Sequence, residues 1–444
     1  MNDLIYALST PVGGAIAVVR ISGPGAGELL ETVFTGRGKP REMVYGRIVD
    51  ELGETLDEVM AVFFPAPRSY TGEDMAELFL HGGQVSVRRV LALLGRHARG
   101  ARPGEFTERA FLAGKMDLAQ AEAVMDLVSA GAERSVKSAL SQLAGRLSAR
   151  IDELESKTLD ALSGLEAAID YPEELEDDVT SALPDALAAI EQELSDLIGN
   201  GLGGRVLREG ARVAIVGRPN AGKSSLLNAL AGTDRAIVTH YAGTTRDVLE
   251  EAVSIEGVPV TLFDTAGIRD AIDPVEKIGV ERARKTAADA DLLLLCFDAS
   301  APLTEEDTAL LAETAESERL VLISKNDLPA LWGEAALQEK GICPGDILSV
   351  SAVSGDGLDA LRKAIAARVA PNAESALVTN SRHIEALERA KRAVADARSN
   401  ADIMELELIA TDLRDAIGAL GLITGREAAD DLIERIFSRF CVGK

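Results

Sequence analysis

Residues 213–230 read VAIVGRPNAGKSSLLNAL, an apolar strand followed by a glycine-rich turn and the start of a helix. Gly217, Gly222, Lys223 and Ser224 fit the pattern G-x-x-x-x-G-K-[ST] in the strand–loop–helix context that it requires. The N–H groups of such a loop surround phosphates, the lysine reaches the outer phosphates and the serine hydroxyl ligates Mg²⁺. The stretch predicts an α/β nucleotide-binding domain, with a contact set that runs through the loop: Asn220, Ala221, Gly222, Lys223, Ser224 and Ser225.

Two segments downstream supply the remaining groups around the phosphates. HYAGTTRDV, residues 240–248, offers two threonines, Thr244 and Thr245, one of which should complete the Mg²⁺ shell and sense the γ-phosphate. VTLFDTAG, residues 260–267, is a strand that ends in Asp264, placed to hold Mg²⁺ through water. We expect the N–H of Gly267 to face the γ-phosphate, with Thr265 and Ala266 beside it.

LVLISKNDL, residues 320–328, identifies the base. The Asp327 carboxylate can accept two hydrogen bonds from the N1 and N2 edge of guanine, a donor pair that adenine lacks, so GTP is favoured and an ATP-driven motor is disfavoured. Small GTPases have asparagine at the first position of this loop, where this chain has Ser324 before Lys325, so we expect somewhat weaker binding. SVSAVSG, residues 349–355, predicts a backbone turn onto the base, formed by Ser351, Ala352 and Val353.

Hydrolysis needs positive charge in the transition state. Ile268 occupies the place of the water-orienting glutamine of Ras-type enzymes. Arg218 and Arg246 are either arginine fingers or solvated loop charges. Asn220 offers a neutral oxygen suited to a monovalent cation, or is a plain turn asparagine.

The pattern of apolar and polar residues divides the whole chain into four predicted segments. Residues 1–118 mix short apolar strands with Gly/Pro turns and predict an α+β domain. Residues 119–208 read as long amphipathic helices broken near DYPEE and ALPDAL, 209–371 as the nucleotide-binding domain, and 372–444 as helices again. We expect the two helical segments to pack as one discontinuous domain around the inserted α/β unit; two separate helical pieces are the alternative.

Composition limits the partners and the location. The 46 basic and 72 acidic residues give a formal net charge of −26, which disfavours unaided high-affinity binding to nucleic acid. No signal peptide or membrane span is evident, so we expect a soluble cytoplasmic protein.

Three cysteines are too few for a disulfide framework. Cys296 lies in an apolar run and reads as core, and Cys343 reads as a loop residue. Cys441, in FCVGK at residues 440–444, is either an unimportant terminal residue or part of a site.

Several motifs together resemble the MnmE (TrmE) family of tRNA modification GTPases over essentially the whole length. They are RPGEFTERAFLAGKMDLAQAEAV (102–124), GRPNAGKSSLLNAL (217–230), AGTTRDV (242–248), DTAGIRD (264–270), PVEKIGVERA (274–283) and FCVGK. The phosphate loop alone is shared by many GTPases, whereas the 102–124 block and the FCVGK box are specific to this family.

The resemblance implies a homodimer whose N-terminal domain binds a one-carbon tetrahydrofolate (5-formyl or 5,10-methylene) and whose Ras-like G domains dimerise for potassium-stimulated hydrolysis. The implied partner is the FAD protein MnmG (GidA), in a heterotetramer that places an aminomethyl-type group on C5 of the tRNA wobble uridine. The implied K⁺ ligands are Asn220 and the carbonyls of Thr239, Tyr241 and Thr244. The implied Mg²⁺ ligands are Ser224 and Thr245, and the resemblance implies that Glu276 positions the attacking water. The implied folate contacts are Arg20, Glu77, Lys115 and Lys444.

On this basis Cys441 and Lys444 become the wall of a folate pocket. Without the resemblance, Arg20 reads as a strand-edge charge and Glu77 as a solvated one. A regulatory GTPase that takes no part in modification is the rival function, and folate binding by residues 1–118 would distinguish the two.

Overall fold

The computed structural model describes residues 3–232, 250–264, 290–371, 376–401 and 406–444. By backbone contacts the chain forms two compact units. One, here called the N/C unit, joins Met1–Met125 to Gly418–Lys444; the other, the central unit, is Asp126–Ile417. Within the described ranges no helix has the length and apolar character needed to cross a membrane.

A six-stranded sheet is the frame of the N/C unit. Its strands are β1 (Ile5–Leu8), β2 (Ile16–Ser22), β3 (Val44–Val49), β4 (Thr55–Phe64), β5 (Met75–His81) and β6 (Arg99–Gly100), in the spatial order β3-β4-β5-β2-β1-β6. Strands β1 to β5 pair antiparallel, and β6 runs parallel to β1. Alternate side chains of β2 and β5 are buried, as the period of a strand requires for a sheet with one covered face.

Five helices accompany that sheet in the N/C unit. They are α1 (Ala26–Val33), α2 (Gln84–Leu94), α3 (Glu105–Leu112), α4 (Leu118–Ser129) and, near the other end of the sequence, α14 (Asp430–Phe437). The boundary between the units falls within α4, after Met125. α1 and α2 bury their apolar faces against the sheet, with Val33 and Val90 among the core residues. Phe437 and Phe440 pack with Leu118 and Ala121 in a second cluster, so the 430–444 region shares a core with residues 1–125.

The central unit contains a second six-stranded sheet. Its strands are β7 (Ala211–Val216), β8 (Glu250–Ile255), β9 (Val258–Asp264), β10 (Leu292–Asp298), β11 (Arg319–Ser324) and β12 (Ile347–Ser349), in the order β12-β11-β10-β7-β9-β8. All pairings are parallel except the edge hairpin β8–β9. The strands read as continuous apolar runs, as expected for a parallel sheet covered on both faces. The described helices around it are α8 (Lys223–Ala231), α9 (Glu305–Glu313), α10 (Glu334–Gln338) and α11 (Leu358–Val369).

The helical part of the central unit combines segments from both sides of this sheet domain. Its helices are α5 (Glu133–Leu143), α6 (Arg146–Asp170), α7 (Pro172–Glu209), α12 (Ser381–Ala401) and α13 (Leu406–Thr424). α12 packs along α7, and ion pairs join Arg398 to Glu191 at 2.7 Å and Arg414 to Glu166 at 2.5 Å. Helices from both sides of the sheet domain therefore pack together, as expected of a discontinuous helical domain, whereas residues 418–444, which were expected to belong to it, lie in the N/C unit.

One expectation about the helices fails. The chain does break at Tyr171, between α6 and α7, but α7 continues through Pro184 instead of ending near ALPDAL. Proline removes one N–H donor, and a helix tolerates that loss when packing supplies the stability. Here Leu183, Leu187 and Ile190, on either side of the proline, are all buried.

Candidate functional sites in the two units

The nucleotide site of the central unit lies at the carboxyl ends of its parallel strands. The 217–222 loop follows β7, Asp264 ends β9, Asp298 ends β10, and the 324–327 loop follows β11. Because parallel strands end at one sheet edge, loops with distant sequence positions meet there, which is the usual ligand position in an open α/β sheet.

The phosphate loop has the backbone of an anion-binding turn. Gly222 caps α8 at φ 91°, and Asn220 also has positive φ, at 62°. At Gly217 a Cβ would come within 2.4 Å of the Cys296 carbonyl oxygen, so a side chain is excluded. The Lys223 side chain is buried, and its Nζ donates to the Arg218 carbonyl at 2.7 Å, across the loop. The loop therefore presents its N–H groups and one ammonium to a common centre.

Ser224 and Asp264, the two described residues that the sequence predicts beside Mg²⁺, are in direct contact. The Ser224 hydroxyl donates to Asp264 Oδ2 at 2.6 Å, which places the two groups that the sequence assigned to Mg²⁺ side by side. The described ranges contain no cluster of three His, Cys, Asp or Glu side chains able to hold a metal. Mg²⁺ beside a nucleotide takes most of its ligands from phosphate and water and one or two from protein.

The guanine loop is tied to the phosphate loop by Ser324. Its hydroxyl is buried and lies 2.8 Å from the Ala221 carbonyl and 3.0 Å from the Phe297 carbonyl, both acceptors for its single proton. Lys325, at φ 60°, donates to Asp298 at 2.6 Å. Burial alone would raise the pKa of Asp298, but hydrogen bonds from Lys325 and Ser300 outweigh it and hold that pKa below its usual value.

Asp327 is the residue that the sequence predicts to contact guanine. Its carboxylate is exposed and accepts a hydrogen bond from the Ser351 hydroxyl at 2.6 Å, while Ser351 itself is fully buried. The Ser351 oxygen also accepts from the N–H groups of Val353 and Ser354, at 3.2 and 3.1 Å, which folds the 351–354 turn. The sequence predicted only a backbone role for Ser351, and its side chain proves to orient Asp327. Ala352 and Val353 lie on this turn, with Val353 exposed.

The Arg218 side chain is bound by residues at the start of α9. Its guanidinium donates to Thr304 at 2.7 Å and pairs with Asp307 at 3.4 Å, at the start of α9. The interpretation as a free arginine finger therefore does not hold in this structure. Several predicted site residues lie outside the described residues: Thr239, Tyr241, Thr244, Thr245, Arg246, Thr265, Ala266, Gly267, Ile268 and Glu276.

The second site is on the N/C unit and begins with a cross-strand pair. Arg20 on β2 lies directly opposite Glu77 on β5, and its Nε donates to Glu77 Oε1 at 2.7 Å. The guanidinium also lies 5.5 Å from the ring centre of Tyr70, in cation–π contact, and donates to the Gly443 carbonyl at 3.4 Å. Tyr70 was not singled out in the sequence, because a lone tyrosine in a loop carries no motif.

Residues 441–444 are bound beside that pair by backbone contacts. The N–H groups of Gly104 and Phe106, at the start of α3, donate to the carbonyls of Cys441 and Lys444 at 3.3 and 3.2 Å. Ser9 donates to the Gly443 carbonyl at 3.1 Å. The segment is therefore not a frayed end.

Gly443 shows how close this approach is. It lies at φ 92°, and a Cβ would come within 2.5 Å of the Leu8 carbonyl oxygen. Only glycine fits such a position without strain.

Lys444 and Cys441 present their functional groups differently. Burial, followed by repulsion from Arg20, lowers the pKa of Lys444. The Cys441 thiol is exposed. Cys296, in contrast, is buried in β10, and burial raises the pKa of its thiol to about 12, so it is an inert core residue as predicted. Cys343 is exposed, in the loop position expected of it.

Lys115 is placed against the loop that carries Tyr70. Its Nζ donates to the Pro67 carbonyl at 3.0 Å, and its side chain is exposed. The structure thus brings Arg20, Glu77 and Lys444 together. The Lys115 side chain contacts the loop beside them, at the Pro67 carbonyl.

A buried ion network holds this loop and α3 in place. Arg109, 3% exposed, donates to Glu73 in the loop and to Glu105, which is fully buried. Arg99 makes a bidentate pair with Glu105 at 2.7 and 3.1 Å. Although burial alone would raise the pKa of Glu105, the bonds from Arg99, from the Arg102 N–H and from Arg109 lower it to about 2. Sequence alone gave no sign of this network.

The fold and the nucleotide site together define a P-loop GTPase. A family model described as the MnmE helical domain matches residues 118–441, and one described as the GTP-binding protein TrmE N-terminus matches residues 4–115. The chain therefore belongs to the MnmE (TrmE) family.

Individual relatives agree over full length. Proteins named tRNA modification GTPase MnmE from Lactiplantibacillus plantarum, Roseiflexus sp. RS-1 and Geobacillus thermodenitrificans are 46%, 45% and 45% identical to this chain, over 457, 460 and 460 residues. Each alignment covers all of this chain and 98%, 99% and 99% of the relative.

Proposed function

We propose that this protein is a tRNA modification GTPase. With the FAD protein MnmG it installs an aminomethyl or carboxymethylaminomethyl group on C5 of the wobble uridine, drawing carbon from a one-carbon tetrahydrofolate (5-formyl or 5,10-methylene). The observation that carries the proposal is the position of residues 441–444 beside Arg20 and Glu77, in a chain that also contains a phosphate loop. The full-length relatives named for tRNA modification support it.

The groups around Arg20 match the chemistry of a reduced folate. Glu77 keeps one carboxylate oxygen beside the one that Arg20 occupies, and a pterin presents N–H donors to such an acceptor. Arg20 and Lys444 repel each other, and this repulsion contributes to the lowered pKa of Lys444. A ligand carboxylate between the two cations would relieve that repulsion, so an anionic tail suits this site. Lys115 would meet the same tail from the neighbouring loop.

We assign Cys441 a role in the transfer of the one-carbon group and not in the packing of the core. Its carbonyl is anchored by the Gly104 N–H while its side chain is exposed, so the thiol is presented on a fixed backbone. A thiol held in this way, beside a one-carbon carrier, is suited to act on the group that is transferred.

GTP hydrolysis follows from the phosphate loop. Lys223 and the loop N–H groups stabilise charge that develops on the phosphates, and Ser224 would hold Mg²⁺ with Thr245. When bound, Mg²⁺ neutralises charge on the β- and γ-phosphate oxygens. Because Arg218 is committed to Thr304 and Asp307, the positive charge of an arginine finger must come from another source, and we assign it to K⁺ held by Asn220, Thr239, Tyr241 and Thr244. Glu276 then orders the attacking water.

The assembly follows from the same proposal. The chain acts as a homodimer and joins MnmG in a heterotetramer, with tRNA as the substrate, in the cytoplasm. MnmG supplies much of the affinity for tRNA, since this chain carries a net charge of −26.

Reconstitution tests the function. The full chain is combined with FAD-loaded MnmG, unmodified tRNA, GTP, a one-carbon tetrahydrofolate and an amine donor (ammonium for the aminomethyl group, glycine for the carboxymethylaminomethyl group), and the nucleosides are analysed by mass spectrometry. We expect a C5-substituted uridine that disappears when any component is omitted. GTP hydrolysis without any modified uridine, and without folate binding, would instead support a regulatory GTPase.

The hydrolytic assignments have separate tests. Turnover should be faster in K⁺ than in Na⁺ at equal ionic strength, and Asn220→Ala should abolish the difference. Glu276→Ala should slow turnover by about tenfold or more with nearly unchanged nucleotide affinity. Equal rates in the two salts would remove the cation from the mechanism, and a large loss of GTP affinity would make Glu276 structural.

A further inference from the structure

The acidic charge of this protein is unevenly distributed between its two units. Residues 1–125 and 418–444 contain 17 Lys and Arg against 20 Asp and Glu, so the N/C unit accounts for only −3 of the net charge of −26. The repulsion of a phosphate backbone inferred from total charge therefore applies chiefly to the central unit. A nucleic-acid contact on this chain belongs on the N/C unit.

Four exposed cations lie on two neighbouring loops of that unit. Arg37, Lys39 and Arg41 are on the loop before β3, and Arg68 is on the loop after β4. Arg41 joins the loops, because its N–H donates to the Phe63 carbonyl at 2.8 Å and its guanidinium donates to the Arg68 carbonyl. We call Arg37, Lys39, Arg41 and Arg68 the loop cation group.

The loop cation group differs in its pairing from two exposed cations of the α2 region. On and just after α2, Arg89 pairs with Glu54 at 3.5 Å and Arg96 with Glu51 at 3.0 Å. Within the described part of the chain, no carboxylate lies within 4 Å of the cationic nitrogens of the loop cation group. The acids near these loops bond other groups: Glu42 accepts from the Lys39 backbone N–H at 3.2 Å, and Asp74 accepts from the Ala66 N–H at 2.8 Å. Unpaired guanidinium and ammonium groups are the ones free to bind phosphates.

The loop before β3 has a fixed shape. Arg41 lies at φ 70°, a conformation that costs a residue with a side chain about 1 kcal/mol. Its guanidinium lies 6.0 Å from the ring centre of Phe64, in cation–π contact. The hydroxyl of Thr35 accepts from the Arg47 N–H, and the Thr35 N–H donates to the Arg47 carbonyl, so the base of the loop is attached to β3.

An exposed aromatic side chain adjoins the loop. Tyr45 on β3 is 64% exposed, and its hydroxyl donates to Glu58 at 2.6 Å, which fixes the ring on the surface. The backbone of Gly36 lies against the Tyr45 carbonyl, next to Arg37. Exposed cations on one loop and a fixed, exposed aromatic ring on the adjoining strand form a combination that can bind single-stranded RNA, through phosphates and by stacking on a base.

We propose that the loop cation group and Tyr45 form an RNA-binding surface, which contacts the phosphate backbone and an unpaired base of the tRNA. The inference rests on the proposed function for the identity of the RNA. It assigns this chain a direct contact with the substrate in addition to the affinity that MnmG supplies.

The test compares two triple variants of the full chain. Arg37→Gln/Lys39→Gln/Arg68→Gln removes three charges and leaves Arg41 to hold the loops together. Arg88→Gln/Arg89→Gln/Arg96→Gln removes three charges from the α2 region of the same unit. The probe is an unmodified tRNA transcript, and its affinity is measured from about 50 to 200 mM salt, the range over which phosphate contacts change affinity most visibly.

We expect the first variant to lose tRNA affinity about tenfold or more, with a salt slope smaller by about 2, because each phosphate contact contributes roughly 0.7 to 0.9. The α2 variant and RNA-free GTP hydrolysis should be close to wild type. Tyr45→Ala should weaken binding with little change in salt slope, since stacking carries no counterion release.

The proposal would be overturned by no tRNA binding by the wild-type chain at about 50 mM salt, by equal losses in the two triple variants, or by a first variant that loses MnmG binding alone. Aggregation of the first variant with unchanged tRNA affinity would show that these cations only prevent the edge strand β3 from pairing with another chain. Modified uridine produced in reconstitution by the first variant at the wild-type rate, with unchanged tRNA affinity, would leave the proposed function intact and refute only this surface.

Discussion

The two sites of this protein are built in opposite ways. The nucleotide site of the central unit uses loops that each follow a strand of one parallel sheet, and each loop carries its own recognisable motif. The site on the N/C unit uses two facing strands and a segment 423 positions away from Arg20, joined largely by backbone hydrogen bonds. We therefore expect the first kind of site to depend on separate local motifs and the second on contacts between distant parts of the chain.

The largest expected effect tests whether the two sites are independent. Lys223→Ala removes the ammonium that the phosphate loop encloses, and we expect GTP turnover to fall about 10³-fold, as with loss of a transition-state charge partner. Folate binding should be unchanged. The control is Lys340→Ala, an exposed lysine that donates to Thr308. Folate affinity that falls together with turnover in Lys223→Ala would show that the sites are energetically coupled.

Glu105→Gln tests the support of α3 in the N/C unit. Because the folded pKa of Glu105 is about 2, below its ordinary value of 4.5, its ionised form stabilises the fold above about pH 4.5, and this stability is lost as pH falls toward 2. The shift corresponds to roughly 3 kcal/mol. Hydrogen exchange of peptides covering 102–115 should be faster in the variant at pH 7, and the difference from wild type should shrink toward pH 3.

Glu108→Gln is the matched control for Glu105→Gln. Burial raises the pKa of Glu108, so its charge is costly in the fold and its loss should not accelerate exchange. Equal acceleration in both variants would mean that the Glu105 network gives no specific support.

Lys444→Met isolates the side chain at the end of the second site. The substitution keeps the Lys444 carbonyl that accepts from the Phe106 N–H, and we expect folate affinity to fall by about 1–3 kcal/mol through loss of a charge-assisted bond. Because the pKa of Lys444 is lowered, wild-type affinity should also decline at an alkaline pH below that of an ordinary lysine. Titration calorimetry measures both, with Arg439→Ala as the control. Unchanged affinity in Lys444→Met would place the ligand elsewhere.

Cys441→Ser separates chemistry from binding in the same segment. The change keeps the size of the side chain and alters its nucleophilicity, so modified uridine should fall by about tenfold or more. Folate affinity and potassium-stimulated GTP hydrolysis should be retained. Cys343→Ser, at the other exposed cysteine, is the control. Wild-type levels of modified uridine in Cys441→Ser would leave the thiol without a role.

The smallest effect concerns the base contact. Ser351→Ala removes the hydroxyl that orients Asp327 and should weaken GTP binding by about 1 kcal/mol. Ser354→Ala removes a hydroxyl from the same turn that bonds Asp356 instead, and should have no effect. A loss of tenfold or more in Ser351→Ala would indicate that the whole turn had collapsed.

The sequence allowed the parallel-sheet domain to be predicted, together with the strand-end positions of several candidate site residues. Gly217, Lys223, Asp264 and Asp327 each stand at a fixed offset from an apolar run, and strand ends meet at one edge whatever the lengths between them. The role of the Ser351 hydroxyl was missed, because a serine in a turn commonly bonds its own backbone.

The second site was less accessible to prediction. Family resemblance marked Arg20, Glu77 and Lys444, but no local pattern indicates that strand β5 faces β2, or that α3 accepts residues 441–444. Arg109 and Glu105 read as a helical i, i+4 pair, and only the fold reveals that they are buried. The continuation of α7 through Pro184 was likewise decided by packing between helices distant in sequence.

The bond between Ser9 and Gly443 spans 434 positions, and this separation has a consequence for synthesis. Chains emerge from the ribosome N-terminus first, and contacts at great sequence separation form last. The core that Leu118 and Ala121 form with Phe437 and Phe440 therefore cannot be completed until almost the entire chain has been translated. The unit that begins first is finished last, so a nascent chain that stalls before residue 430 would expose apolar surface to chaperones.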